Sequence, residues 1–216
     1  MMVSATRFAL CLSVLLTDLF FYAGAQAPLA DSTSKKEPWE FEADLFYYAI
    51  PDDGYLMPIA YADHGHAHFE ARYNYEDRKT ASVFGGYRFE TGEKLEAAFT
   101  PVGGYVFGNS NGIAPGLLLE LAYGKFDFYS ESEYLIDFSG SQYNFFYTWS
   151  ELAYSPVADV FRAGISANRT RSVSDGFDVQ RGIFGELSYN RLTLGFYYFN
   201  PFTSDDYLLF KVARTF

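Results

Sequence analysis

From Trp39 to the C-terminus, apolar and polar side chains alternate with a period of two, and clusters of Gly, Asp, Asn, Ser and Pro cut the alternation into strand-length segments. These run near 39–50, 56–62, 66–76, 80–90, 94–107, 113–122, 126–136, 143–154, 159–172, 178–189, 192–200 and 206–216. Twelve strands are predicted. Two turns, Asp63-His64-Gly65 and Tyr123-Gly124-Lys125, carry weaker signals, and losing both leaves ten strands, two of them roughly double length. A closed barrel of modest height accommodates such long strands poorly, which favours twelve.

Parity assigns the two faces. One face of strand 39–50 carries Trp39, Phe41, Ala43, Leu45 and Tyr47, and the other Glu40, Glu42 and Asp44. Strand 66–76 sets Ala67, Phe69, Ala71, Tyr73 and Tyr75 against His66, His68, Glu70, Arg72 and Asn74. A strand with acyl chains on one side and a wet lumen on the other requires this division, because hydrocarbon cannot solvate an exposed polar group. Last comes Tyr207-Leu-Leu-Phe-Lys-Val-Ala-Arg-Thr-Phe216, with Leu208, Phe210, Val212 and Phe216 on one face and Lys211, Ala213 and Thr215 on the other. This ending resembles the C-terminal targeting signal of Gram-negative outer-membrane β-barrel proteins, although Arg214 stands where that signal carries a hydrophobic residue. The resemblance implies an all-β, antiparallel up-and-down transmembrane barrel over 39–216, outer-membrane lipid and lipopolysaccharide as surroundings, and recognition of the strand ending in Phe216 by the barrel-assembly machinery.

The N-terminus agrees. After Arg7, an apolar stretch from Phe8 to Tyr22 leads into Ala23-Gly24-Ala25, the pattern of a cleaved signal peptide over 1–25. Residues 26–38 form a polar lead-in on the periplasmic side. Cleavage removes Cys11, so the mature chain forms no intramolecular disulfide. The net charge of −11 survives cleavage, because Arg7 and Asp18 cancel, and it excludes nucleic acid as a partner. Hydrophobic residues make up 49% of the chain without forming another helix-length block, as expected of a membrane protein that crosses with strands.

The polar parity class continues through Ser82, Arg88, Glu96, Thr100, Glu120, Glu151, Arg162, Ser166, Asn168, Thr170, Gln180, Glu186, Ser188, Thr193 and Lys211. Counting from Glu40, it sets eight carboxylates against four fixed cations. An unpaired carboxylate is costly away from water, so the excess implies a hydrated lumen that prefers cations; the competing reading is a lumen closed by Glu/Arg pairs and aromatics. Aromatics bunch near strand ends, as in Phe46-Tyr47-Tyr48 and Phe145-Phe146-Tyr147, and read as interfacial girdles, with an inward sugar-binding slide of Tyr48, Tyr197 and Phe199 as the alternative.

Three further constellations carry candidate chemistry. His64, His66 and His68 follow one parity with Glu70, so His66, His68 and Glu70 form a candidate transition-metal set at the barrel mouth. A hairpin around Ser174-Asp175-Gly176 places Arg169 opposite Arg181 with Arg171 diagonal to it, an outward trio suited to lipid phosphate. No GxSxG occurs and no serine lies two residues from a histidine, leaving only Asp137, Asp175, Asp205 and Asp206 as acids for a hydrolase; no cofactor is implied. The barrel resembles small monomeric porins for acidic oligosaccharides in size, but it lacks their arginine-rich lumen. The expected function is a narrow, weakly cation-preferring channel for small hydrophilic solutes, with a closed structural barrel, an embedded hydrolase or a soluble ligand-binding barrel as alternatives.

Overall fold

The computed structural model describes residues 38–50, 53–158, 160–172 and 176–216, with backbone alone at 171–172 and 176–178. The signal peptide expected over 1–25 and the lead-in up to residue 37 lie outside the described residues. Thirteen strands follow one another: β1 (Glu40–Ala49), β2 (Tyr55–His64), β3 (Ala67–Tyr73), β4 (Thr80–Tyr87), β5 (Phe89–Thr91), β6 (Glu96–Gly108), β7 (Gly112–Tyr123), β8 (Phe126–Asp137), β9 (Phe145–Val157), β10 (Phe161–Ser172), β11 (Gly176–Tyr189), β12 (Leu192–Phe199) and β13 (Tyr207–Thr215). The three residues of β5 continue the line of β4 beyond Arg88 and pair only with β6, so the wall has twelve staves. Each stave pairs antiparallel with its neighbours, β4 joins β6, and β1 joins β13 with Leu45 opposite Val212. The barrel is closed. Every ladder therefore finds its partner inside the wall, the condition for putting extended chain into hydrocarbon.

Both doubtful turns exist, which decides for twelve staves over ten. Gly65 and Gly124 supply the left-handed φ of +57° and +60° that these tight reversals need. Asn190 and Arg191 make the β11–β12 turn with both residues at positive φ, a type I′ arrangement matched to the twist of the flanking strands. One rim carries these short turns together with both ends of the described chain, and the other carries the longer connections at 50–54, 74–79, 109–111, 138–144 and 200–206. On the short-turn rim, β9 gains one residue against β10, so Phe161 faces Val157 while Ala163 faces Tyr154. Pro156 lies within the added length, where its missing N–H breaks the ladder at little cost.

Burial inverts the rule for water-soluble proteins. Leu45, Val83, Leu117, Leu152, Ile165 and Phe210 are exposed on the outer wall, while Asp44, Glu70, Glu151, Glu186 and Lys211 are enclosed. In water such a wall would be an extended apolar patch, whereas in lipid it is the expected surface. Aromatic rings gather on the outside of the short-turn rim, where Trp39, Phe41, Tyr87, Phe89 and Phe99 stack in a partial belt. Leu117 lies midway along β7 and faces outward. Leu117→Arg is expected to destabilise the refolded barrel by about 2–4 kcal/mol in vesicles, measured by denaturant titration. A change below about 0.5 kcal/mol, the scale of an ordinary surface substitution, would contradict a lipid-facing wall.

Candidate functional site

The inward face is a charged interior rather than a water-filled tube. Glu42, Asp44, Glu70, Arg72, Glu120, Glu151, Arg162, Glu186 and Lys211 are all buried, whereas Glu40, Arg88 and Glu96 are half-buried. Among the described residues, the buried set holds nine carboxylates, three fixed cations and His68. Three of those carboxylates, Glu131, Glu133 and Asp137 on β8, were absent from the sequence-predicted set. Their alternation was present in Phe126–Asp137, but Ser130 and Ser132 on the opposite parity blurred it. Those hydroxyls pair across to β9, Ser130 with Ser150 at 3.0 Å and Ser132 with Thr148 at 3.2 Å, which lets polar groups sit on the outer wall.

Two ion networks occupy the lumen, one along one side of the wall and one reaching across it. In the first, Arg162 contacts Glu151 at 2.6 Å, Glu186 at 3.1 Å and Asp127 at 2.6 Å. Lys211 lies 3.4 Å from both Asp44 and Glu186. Tyr197 donates to Glu151 at 3.0 Å and Glu186 at 2.9 Å, and Trp149 donates to Glu151 at 3.0 Å. In the second, His68 bridges Asp63 at 2.6 Å and Glu70 at 2.7 Å. Arg72 then joins Glu70 and Glu131 at 2.6 Å and Glu133 at 3.0 Å, with Glu76 at 3.8 Å. Such networks survive burial only when most of their charges are met by a partner.

Apolar clusters flank these networks. Phe46, Tyr61, Trp149, Tyr197, Phe199 and Leu209 belong to one, and Phe84, Val102, Val106, Leu118 and Leu135 to the other. Tyr197 and Phe199 are 0% exposed, so these two members of the proposed aromatic slide are sealed against Trp149 and cannot meet a solute in this state. Above them, on the long-loop rim, opens a cavity of about 1070 Å³. Its wall includes Glu76, Asp77, Asp137, Asp205 and Asp206, with Tyr48, Tyr55, Tyr147 and Tyr207, and contains no Lys, Arg or His among the described residues. Tyr48 is the slide member that faces this vestibule, stacked on Tyr55 at 4.6 Å.

Two sequence-derived constellations need correction. His66, His68 and Glu70 do not converge as a metal set: His66 belongs to the β2–β3 reversal, where it stacks on Tyr87 at 5.1 Å and donates from Nδ1 to the Arg88 carbonyl at 2.9 Å. His64 packs against Trp39 at 4.9 Å, His68 alone enters the lumen, and no group of three ligands able to hold a metal exists among the described residues. Nor do Arg169 and Arg181 oppose one another, because the hairpin register is shifted: Arg169 faces Val179 and Arg181 faces Ala167. Both remain exposed on the outer wall as diagonal neighbours, which removes the direct like-charge conflict; the side chain of Arg171 lies outside the described residues.

No family model matches the chain, and no curated protein sequence matches it. Among solved structures, a KdgM porin superposes with a TM-score of 0.60 at 9% identity, covering 81% of this chain and 98% of that one. The KdgM porin in complex with disordered oligogalacturonate gives 0.56 at 8% identity, covering 82% of this chain and 98% of that one. The chain has the KdgM porin fold. A further structure, solved in work on in-meso crystallisation of membrane proteins, gives 0.54 at 12% identity with 82% of this chain and 83% of that one covered. The likeness is one of wall architecture; the buried interior of this chain carries nine carboxylates against three fixed cations among the described residues.

The loop groups at the two rims differ in how they hold charge. Although burial works against it, Arg88 is kept firmly protonated at the short-turn rim by Glu120, reached at 2.6 and 2.8 Å, and by Glu90 at 2.6 Å. At the vestibule, burial pushes the Glu76 carboxyl above the usual carboxylate range despite Arg72. An acid shifted in this direction holds its proton more tightly when folded. Its contribution to stability is full below the unfolded value and is lost as pH rises through the folded one. Glu76→Gln is therefore expected to melt higher than the wild type at about pH 8 and indistinguishably from it at about pH 4, near the unfolded carboxylate value; a reversed order in melting scans would refute the assignment. Lys211→Met leaves Asp44 and Glu186 without their shared cation and should cost about 3–5 kcal/mol in equilibrium unfolding.

Proposed function

We propose that the protein is an outer-membrane channel of narrow bore that passes small hydrophilic solutes and favours cations, entered from outside the cell through the acidic vestibule. The observation that carries this reading is the lining of that vestibule, which holds five carboxylates and, among the described residues, no Lys, Arg or His, Arg72 reaching only Glu76 from beneath. A mouth of one charge sign concentrates counter-ions and repels co-ions. The KdgM porin of one comparison is complexed with oligogalacturonate, a polymer of carboxylate-bearing sugars, and a vestibule of the present composition disfavours such a solute. With long loops outward, the leader over 1–25 is removed on export, residues 26–38 lie in the periplasm, Phe216 serves the assembly machinery, and Arg169 and Arg181 face lipid phosphates of lipopolysaccharide.

The second reading, a closed structural barrel, is favoured by one observation: the ion networks and the Trp149-Tyr197-Phe199 block enclose their side chains at mid-depth. A hydrolase draws less support, because His68 is engaged by two carboxylates and no histidine bonds a serine or threonine hydroxyl among the described residues. Planar-bilayer recording separates the first two readings. Under a salt gradient the channel reading expects a small conductance with a reversal potential of cationic sign, and Asp205→Asn/Asp206→Asn moves that potential toward zero. Anion preference would overturn the reading, and no current across many insertions of a folded barrel would leave the closed barrel in its place.

A further inference from the structure

The vestibule floor meets an ionic seam that runs between the two apolar clusters. Glu76 lines the vestibule, Arg72 lies next to it, and Glu131, Glu133, Glu70, His68 and Asp63 lead on toward the short-turn rim, where Asp63 is partly exposed. β3 and β8 are not neighbours in the wall, so the contacts from Arg72 to Glu131 and Glu133 cross the lumen and strap its two sides together. The guanidinium is also wedged between rings, 4.3 Å from the centre of Tyr75 and 4.2 Å from that of Phe84, which closes the gap between the clusters.

The charges around Arg72 do not balance. Four carboxylates, Glu70, Glu76, Glu131 and Glu133, surround one guanidinium, and His68 bonds only the first of them. Glu133 Oε1 and Glu76 Oε2 are enclosed yet accept no hydrogen bond. Enclosed carboxylate oxygens without a donor are costly, and they are what a cation site supplies to its ligand.

We infer that these four carboxylates form a cation-binding site in the conduction path, and that Arg72 is a tethered cation occupying it, so that the side chain acts as a built-in plug. The ligand class is a compact monovalent organic or alkali cation, since the site has carboxylate oxygens facing a cavity already shaped to a planar guanidinium. The inference rests on the channel reading for its physiological meaning, but occupancy of the site is measurable without current.

Removing the plug while keeping the ring is the test. Arg72→Ala, checked for folding by heat-modifiable gel mobility, is expected to carry several-fold more cation current than the wild type, and millimolar methylguanidinium should block that current while leaving the wild type unaffected. Adding Glu133→Gln should weaken the block by about tenfold, the scale of one lost close charge pair. The binding arm is thermal: methylguanidinium raises the melting temperature of Arg72→Ala and not of the wild type. If Arg72→Ala does not fold, Arg72→Gln, a neutral residue of similar reach, takes its place. Failure of both to fold without methylguanidinium and recovery of folding with it also supports the site; failure to recover overturns it. Equal, non-zero current in variant and wild type, or equal sensitivity of both to methylguanidinium, overturns the plug. A methylguanidinium-specific thermal shift with no current in either protein upholds the site and rejects the channel reading alone.

Discussion

Closure of the hydrogen-bond ladders is the constraint on which everything else depends. Extended chain enters hydrocarbon only when no edge is left unpaired, and the join between β4 and β6, with that between β1 and β13, meets this condition. Closure fixes which face looks inward. It thereby gathers carboxylates from six strands into one enclosed interior, where they must either find cations or hold protons. The interior is the consequence of the wall.

The way these charges are met gives the barrel its character. Arg162 and Lys211 each serve two or more carboxylates on one side of the lumen, and Arg72 serves four on the other, so a few cations organise many acids. Aromatic rings pack beside these networks, and hydroxyl and indole donors among them are spent on the same carboxylates: Tyr197 and Trp149 both reach Glu151. The KdgM fold leaves this composition open, because outward positions meet lipid in every such barrel while inward ones are free to vary.

Most of the wall was legible in the sequence because two-residue alternation reports directly on facing, and turn chemistry reports on chain reversal, although at Gly65 and Gly124 that signal was weak. The lumen was legible only where one parity was cleanly polar. On β8, Ser130 and Ser132, alternating with the acids on the opposite parity, hid Glu131 and Glu133, which proved to be the partners of Arg72 across the barrel. The histidine triplet misled for a local reason, since parity holds within a strand and fails in the reversal that contains His66. The arginine pairing failed by register, because a hairpin centre misplaced by one residue displaces each cross-strand pair by two. That the lumen is filled was beyond sequence, since it depends on which residues meet across a space that alternation does not measure.

The last stave brings a charge to the first. Lys211 on β13 lies 3.4 Å from Asp44 on β1, and Thr215 donates to Glu42 across the same seam at 3.2 Å. Until the two ends of the polypeptide zip together, Asp44 lacks the ammonium group that already serves Glu186, and an unsealed cylinder holds a bare acid where the finished one holds a bridge. Sealing is thus rewarded electrostatically at the moment it completes, which sharpens the step between open intermediate and intact cylinder into something close to all or none.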